Sequence, residues 1–350
     1  MKTFNPRWRM VLMLKQWPVV LKNMAQSTQN LLTAFYYKKY FEWGFPTRSF
    51  VQVNIETNTI CNRTCHFCLY GIRDEVPANP MAAGLFFKII DQLAELRFSG
   101  RLSLFSTNEP LTDKRIYEFI RYASLMLPNS YHTLVSNGDL LNQERLDRLF
   151  SNGLDLLLIN SYDDQALQRN RHWYDYALQR YPGKILHTDR TTYDDWDSRA
   201  GHIERYVKNV TQGFCDLPNY ALYINPKGRV LSCCHDFDEQ NLMGDLTQQT
   251  VREVWYGRQF TALRRGLNRG DRGVSDLCRG CDRPPNPDYF RWNATQPRRS
   301  GKGLRWFPRR PSLADQAEAQ AIREKHLQRE NRPRVSRRGV PECLPVHQQS

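Results

Sequence analysis

The sequence predicts an α/β fold: a parallel sheet with helices outside it, followed by a small cysteine-bearing region. Three observations predict it. From residue 51 short apolar, β-branched runs alternate with helical stretches. Each intervening stretch is long enough for a crossover between parallel strands. After residue 215 the alternation gives way to a hairpin, a helix and a cysteine loop. Strands apolar along their whole length belong in a sheet covered by helices.

Taken in order, residues 1–50 read as basic helices, with Asn5 able to cap the first and Pro6 at its first position. Pro18 interrupts that helix. Its start resembles a secretory leader only superficially, because Lys15 shortens the apolar run and no small-residue cleavage site follows. Strands are expected at VQVNIET (51–57), RLSLFS (101–106), YHTLVS (131–136), LDLLLIN (154–160) and KILHT (184–188), and a sixth within 189–214. Helical patterns fill 80–98, 112–127, 142–152 and 164–181. YALYINPKGRVLSCC reads as two short strands around an Asn-Pro-Lys-Gly turn. QQTVREVWYGRQFTALRRGL reads as one helix, and LCRGCDRPPNP as a loop. From residue 294 the chain is rich in Arg, Pro and Gln, which predicts a basic, mostly disordered tail with one short helix at 313–330. The expected division is 1–50, 51–212, 213–293 and 294–350.

Composition narrows the function classes. The hydrophobic fraction of 40% supports a core, and no run reaches the roughly 18 apolar residues of a membrane-spanning helix. Nine cysteines in 350 residues are too few for a disulfide scaffold. Their odd number and close spacing point to metal in a reducing, cytoplasmic compartment. The formal net charge of +14 is concentrated at the ends: 1–50 carries eight Lys/Arg against one acid, and 291–350 fourteen against five. Such ends suit nucleic acid, anionic lipid or an acidic partner, but the simpler reading is solvated tails.

CNRTCHFC (61–68) places Cys61, Cys65 and Cys68 on the loop after the first strand. Loops at the carboxyl ends of parallel strands are where α/β proteins build their sites. Three close thiolates suit an iron–sulfur cluster, whose irons take soft ligands. A cubane has four irons, so three cysteines leave one open to a small molecule. A zinc site would need His66 as a fourth ligand, and its place between two of the cysteines is poor for joint ligation.

This C-x3-C-x-aromatic-C pattern, with Phe67 at the aromatic position, resembles the radical S-adenosylmethionine (SAM) superfamily. The resemblance implies a partial (β/α)6 TIM-like barrel, with the open iron holding the amino and carboxylate groups of SAM. It further implies that one electron splits SAM into methionine and a 5′-deoxyadenosyl radical, which takes hydrogen from substrate. FSTNEPL after the second strand is similar to the family's Gly-Gly-Glu-Pro motif. Glu109 and Pro110 match, while Thr107 and Asn108 replace the glycines, Asn tolerating positive φ better than most residues. On this resemblance Glu109 and Asn108 contact SAM. Ser136 and Asn137 in SNGDLL, Asn160 in INSYDD and Arg199 in SRAG are further candidates. A plain strand-to-helix turn is an equal alternative for Ser136 and Asn137, and a surface arginine is the simpler reading of Arg199.

A second set, Cys215, Cys233, Cys278 and Cys281, supplies the four ligands of a closed site. Spacing alone does not separate zinc from iron–sulfur. Cys215-x12-Gly228-x4-Cys233 resembles the start of the SPASM or twitch auxiliary domain of radical SAM enzymes, and the glycine spacing favours Cys233 over Cys234. Cys343 is not assigned. The resemblance, over residues 50 to 285, implies two 4Fe–4S clusters, one SAM-binding and one auxiliary, and a flavodoxin- or ferredoxin-type electron donor. The expected activity is oxidation of a sugar, cyclitol or similar metabolite. The alternative is radical modification of a peptide substrate. A zinc protein binding nucleic acid is a third reading and is not favoured, because aromatic and basic residues do not interleave.

Overall fold

The computed structural model describes residues 50–73, 76–208, 213–284 and 309–331. The helices expected within 1–49, and the expected disorder of 294–308 and 332–350, lie outside the described residues. An eight-stranded sheet runs in the order β5-β4-β3-β2-β1-β6-β7-β8. Its strands are β1 (Gln52–Ile55), β2 (Arg101–Ser103), β3 (Tyr131–Ser136), β4 (Leu156–Ser161), β5 (Ile185–Asp189), β6 (Ala221–Ile224), β7 (Arg229–Leu231) and β8 (Leu242–Asp245). All pairings from β5 through β6 are parallel, and β6-β7-β8 are antiparallel.

Six parallel strands are therefore present, but the sixth does not come from 189–214. It is the first strand of the expected hairpin. Gln52 pairs with Ala221 and Ile55 with Ile224, so β6 docks on the free edge of β1. A central parallel strand needs neighbours on both sides, and the apolar Ala-Leu-Tyr-Ile run suits that position. The hairpin turn closes through Gly228 N–H to Asn225 O at 2.9 Å, with Gly228 at φ +82°. β8 was not expected.

Crossover helices α1 (Ala83–Glu95), α2 (Ile116–Met126), α3 (Gln143–Ser151) and α4 (Asp164–Arg180) fall where the 3.6-residue pattern places them. Asn142 and Asp163 cap α3 and α4. Val53, Ile55, Leu102, Leu134, Leu157 and Ile159 bury one face of the sheet in the same core as Phe86, Phe87, Ile90 and Phe119 of the helices. The residues between them, Gln52, Asn54, Arg101, Ser103, Thr133 and Asn160, point to the opposite, inward face and are also buried.

Two expectations need correction. The stretch read as one helix is two, α5 (Val251–Trp255) and α6 (Arg258–Asn268), broken at Gly257, where a Cβ would lie 2.9 Å from Glu253 O. After α7 (Asp276–Arg279), the tail helix is not a loose segment. α8 (Leu313–Glu330) is docked across α1 and α2. Ala319 and His326 are buried, Arg121 donates to Glu318 at 2.6 Å, and Arg323 meets Asp91 and Tyr122. Glu330 accepts from the Ala83 N–H at 2.7 Å, capping a helix that has no capping side chain of its own.

Candidate active site

The three clustered cysteines occupy the loop leaving β1. Cys68 N–H bonds Cys65 O and Gly71 N–H bonds Cys68 O, each at 3.0 Å, so the loop winds as two successive turns. Gly71 lies so close that a Cβ would stand 2.0 Å from Cys65 O. Arg63 grips Asp139 with two nitrogens and reaches Asp163 at 2.6 Å, pinning the loop over the ends of β3 and β4. Phe67 stacks on Trp196 with centroids 3.6 Å apart. His66 lies against the Tyr206 hydroxyl instead of turning inward with the thiols. Burial pushes Cys65 up to about 12, and charge on Cys68 and Cys61 adds to the rise.

The turn after β2 is built around a residue that the motif reading overlooked. Glu56, directly after β1, is buried, and its Oε1 accepts from Thr107 N–H (3.0 Å), Thr107 Oγ1 (2.7 Å) and Asn108 N–H (3.0 Å). Neither Thr107 nor Asn108 has positive φ, so the turn does not need the conformation expected for the missing glycines. Alternation of apolar and polar residues in VQVNIE was the available signal.

Glu109, Ser136 and Asn137 come together, but the Glu109 carboxylate faces protein donors. Its Oε1 accepts from Leu111 N–H and Ser136 Oγ, and its Oε2 from Asn137 N–H at 2.8 Å. Burial pushes this carboxyl up to about 7. The Asn137 side chain joins Asn62 and Asp139 N–H, and Asn108 joins Asn58. Asn160, the penultimate residue of β4, accepts from Arg190 at 3.3 Å. These side chains thus brace the loops around the thiols.

Arg199 is not a plain surface residue. Arg199, Ala200 and Gly201 are three successive left-handed residues, at φ +53°, +59° and +91°. Arg199 Nε donates to Phe67 O at 3.2 Å, while Ser198 N–H donates to Asp282 at 3.1 Å. SRAG therefore bridges the first cysteine loop to the residue after Cys281.

The second set surrounds β6 and β7. Arg272 is buried and donates to Gly213 O, Phe214 O and Arg283 O, tying the approach to Cys215 to the exit from Cys281. Cys278 N–H bonds Ser275 Oγ, the cap of α7. Burial raises Cys233, with charge on Cys234 and then Cys215 adding; Cys215, Cys233 and Cys234 pack against one small cluster of Leu217, Tyr220, Ala221 and Tyr223. Cys234 is lowered to about 6: burial opposes the shift, but His235, Arg283 and Arg199 outweigh it. The two neighbours thus meet different surroundings. Among the described residues no three His, Cys, Asp or Glu side chains converge as a single-ion site. A cubane holds its ligands farther apart than one ion does, and two sets of thiols on hydrogen-bonded loops match its donor chemistry.

Residues 55–177 match the family model described as the radical SAM superfamily, and residues 215–282 match the SPASM iron–sulfur cluster-binding domain. The chain belongs to the radical SAM superfamily and carries a C-terminal SPASM domain. More particularly, it is an enzyme, a radical SAM oxidoreductase that uses SAM and iron–sulfur chemistry. It is 28% identical over 235 residues to the S-adenosyl-L-methionine-dependent 2-deoxy-scyllo-inosamine dehydrogenase of Niallia circulans, covering 67% of this chain and 93% of that protein. It is similar to the crystal structure of BtrN in complex with AdoMet and 2-DOIA, with 26% identity and a TM-score of 0.61 over 67% of this chain and 94% of that one. Selenomethionine BtrN in an open conformation gives 26% identity and a TM-score of 0.54, with the same coverage of both chains. Among the described residues no helix is long and apolar enough to cross a membrane.

Proposed function

We propose that this enzyme is a dehydrogenase of an amino-cyclitol or closely similar polyol, with one 4Fe–4S cluster on Cys61, Cys65 and Cys68 and a second on Cys215, Cys233, Cys278 and Cys281. The observation that carries the reading is the bridge between the two sets. β1 leads into the first and pairs directly with β6, which lies between Cys215 and Cys233. SRAG then links Phe67 to Asp282. When bound, the first cluster supplies the electron for reductive cleavage of SAM, and the second a sink for the electron left by substrate oxidation.

The chain's own residues hold this arrangement. Gly71 and Arg63 fix the first loop. Glu56 and Glu109 fix the turns after β2 and β3. Arg272 closes the second set. The inward face of the sheet is polar, with Asn54, Ser103 and Thr133 in register across β1, β2 and β3, which suits a hydroxyl-rich substrate. A flavodoxin- or ferredoxin-type protein in a reducing, cytoplasmic compartment supplies the first electron.

The test is anaerobic turnover of 2-deoxy-scyllo-inosamine with SAM and a reductant. The expected result is 5′-deoxyadenosine and a ketone in equal amounts. SAM cleavage that stays uncoupled from the cyclitol would overturn the substrate assignment.

A further inference from the structure

α4 departs from its own pattern at one position. The stripe it buries carries Ala166 and Ala177, with Trp173 and Tyr174 packed on the core beside them, and Asn170 stands in that stripe with no exposed surface. Its amide nitrogen donates to Asn137 O and to Ser161 Oγ, each at 3.0 Å. A backbone carbonyl only accepts, so the nitrogen is the atom that has to face Asn137. The amide oxygen is then left without a hydrogen-bond donor among the described residues. It lies against Gly138, where an added Cβ would stand 2.2 Å from it and where φ is +77°. A buried amide with one atom unpaired contributes little to stability, because that oxygen has given up water for nothing. What the side chain does supply is a fixed place for the main chain of the turn after β3.

That turn is where the loops of the site meet. Ser136 Oγ and the Asn137 N–H hold Glu109, from the turn after β2. Asn137 Nδ2 donates to Asn62 Oδ1 at 2.9 Å, and Asn62 donates to Asp139 at 3.0 Å, so the turn is also bound to the loop of the first three cysteines. Arg169, the neighbour of Asn170 on α4, meets Asp139. Consecutive residues of α4 thus hold the turn at two points, Asn170 at the Asn137 carbonyl and Arg169 at the Asp139 carboxylate. Ser161 Oγ, the other acceptor of Asn170, lies 2.8 Å from His187 Nε2, which ties the amide back to the ends of β4 and β5.

We propose that Asn170 is a positioning residue for SAM. It acts through Asn137: it sets the turn after β3, and through Asn62 and Glu109 the loops at the carboxyl ends of β1 and β2, the end of a parallel sheet at which ligands bind. The inference concerns SAM alone and stands apart from the amino-cyclitol reading.

The experiment compares reconstituted wild type with Asn170→Ala on two readouts. One is KM for SAM in uncoupled cleavage, followed as 5′-deoxyadenosine with no cyclitol present. The other is anaerobic hydrogen exchange at the amides of 137–139, with the buried amides of α4 as reference. KM should rise at least fivefold, and exchange at 137–139 should quicken at least fivefold relative to α4. A smaller rise in KM overturns the proposal. So does a raised KM without the change at 137–139, because the turn is then not the route. Exchange that quickens equally in α4 assigns Asn170 a purely structural role and overturns it too. If Asn170→Ala loses iron, Ser161→Ala decides, since it frees the amide from its other side and lies away from the cysteines. The same two readouts then apply with a threefold threshold, and loss of iron there as well overturns the proposal.

Discussion

Gly71 shows how a single atom governs the first cysteine loop. A methyl group there would collide with the backbone of Cys65, which cannot retreat without moving a thiol. Gly71→Ala should therefore cost about 1–3 kcal/mol by overpacking and, more tellingly, displace Cys65. The expected outcome is an iron content near that of a Cys61/Cys65/Cys68 triple-alanine variant, with the remaining iron retained; full iron would show that the loop relaxes. Gly71 could not be identified from sequence, since nothing in CLYGIR marks a close approach to Cys65. Glu109 illustrates the reverse. Its place beside Pro110 made it legible, but the burial that lifts its carboxyl and the donors that occupy it became visible only with Ser136 and Asn137 folded against it.

At the scale of elements, the crossover helices and the first five strands were readable because periodicity and length agree there. The partners of β6 and α8 were not, because a short apolar strand does not announce which edge it joins, and a charged helix does not announce a docking face. α8 carries its own test. His326 is buried beside Phe87, Phe119 and Glu118, and burial lowers its pKa even though Glu118 opposes the shift. A histidine lowered in the folded state contributes stability above its unfolded value of 6.5 that is lost as pH falls through the folded value. Melting of the apo chain should thus drop more between pH 7.5 and 5.5 in wild type than in His326→Gln; parallel curves would refute the assignment. Removing residues 309–350 should also lower Tm, by about 2–4 °C for each kcal/mol of docking lost. An unchanged melting curve would mean that α8 contributes nothing to the fold.

For the whole molecule, the proposed clusters are counted directly. Anaerobic reconstitution should give about eight irons per chain, falling to about four when Cys61, Cys65 and Cys68 become alanine. Cys215→Ala/Cys233→Ala should also leave about four, keep uncoupled SAM cleavage and abolish cyclitol oxidation. Four irons with one zinc in wild type would remove the electron sink. Sequence spacing proposes both cysteine sets but not their relation, since Arg199, Asp282 and Phe67 are far apart along the chain and meet only through SRAG.

The pairing of β6 with β1 bears on how this protein can be divided. A fragment ending near residue 212 would keep the matched SAM region but leave β1 as an outer strand, with backbone donors and acceptors bare over Gln52–Ile55. That strand is buried along its whole length and carries no lysine or proline to discourage edge-to-edge association. Such a fragment would self-associate, and an auxiliary fragment beginning at Cys215 would lose the support on which its first strand lies. Transplanting the cysteine-rich half onto another core would therefore require a matching strand to receive it, and a flexible linker would not substitute for one.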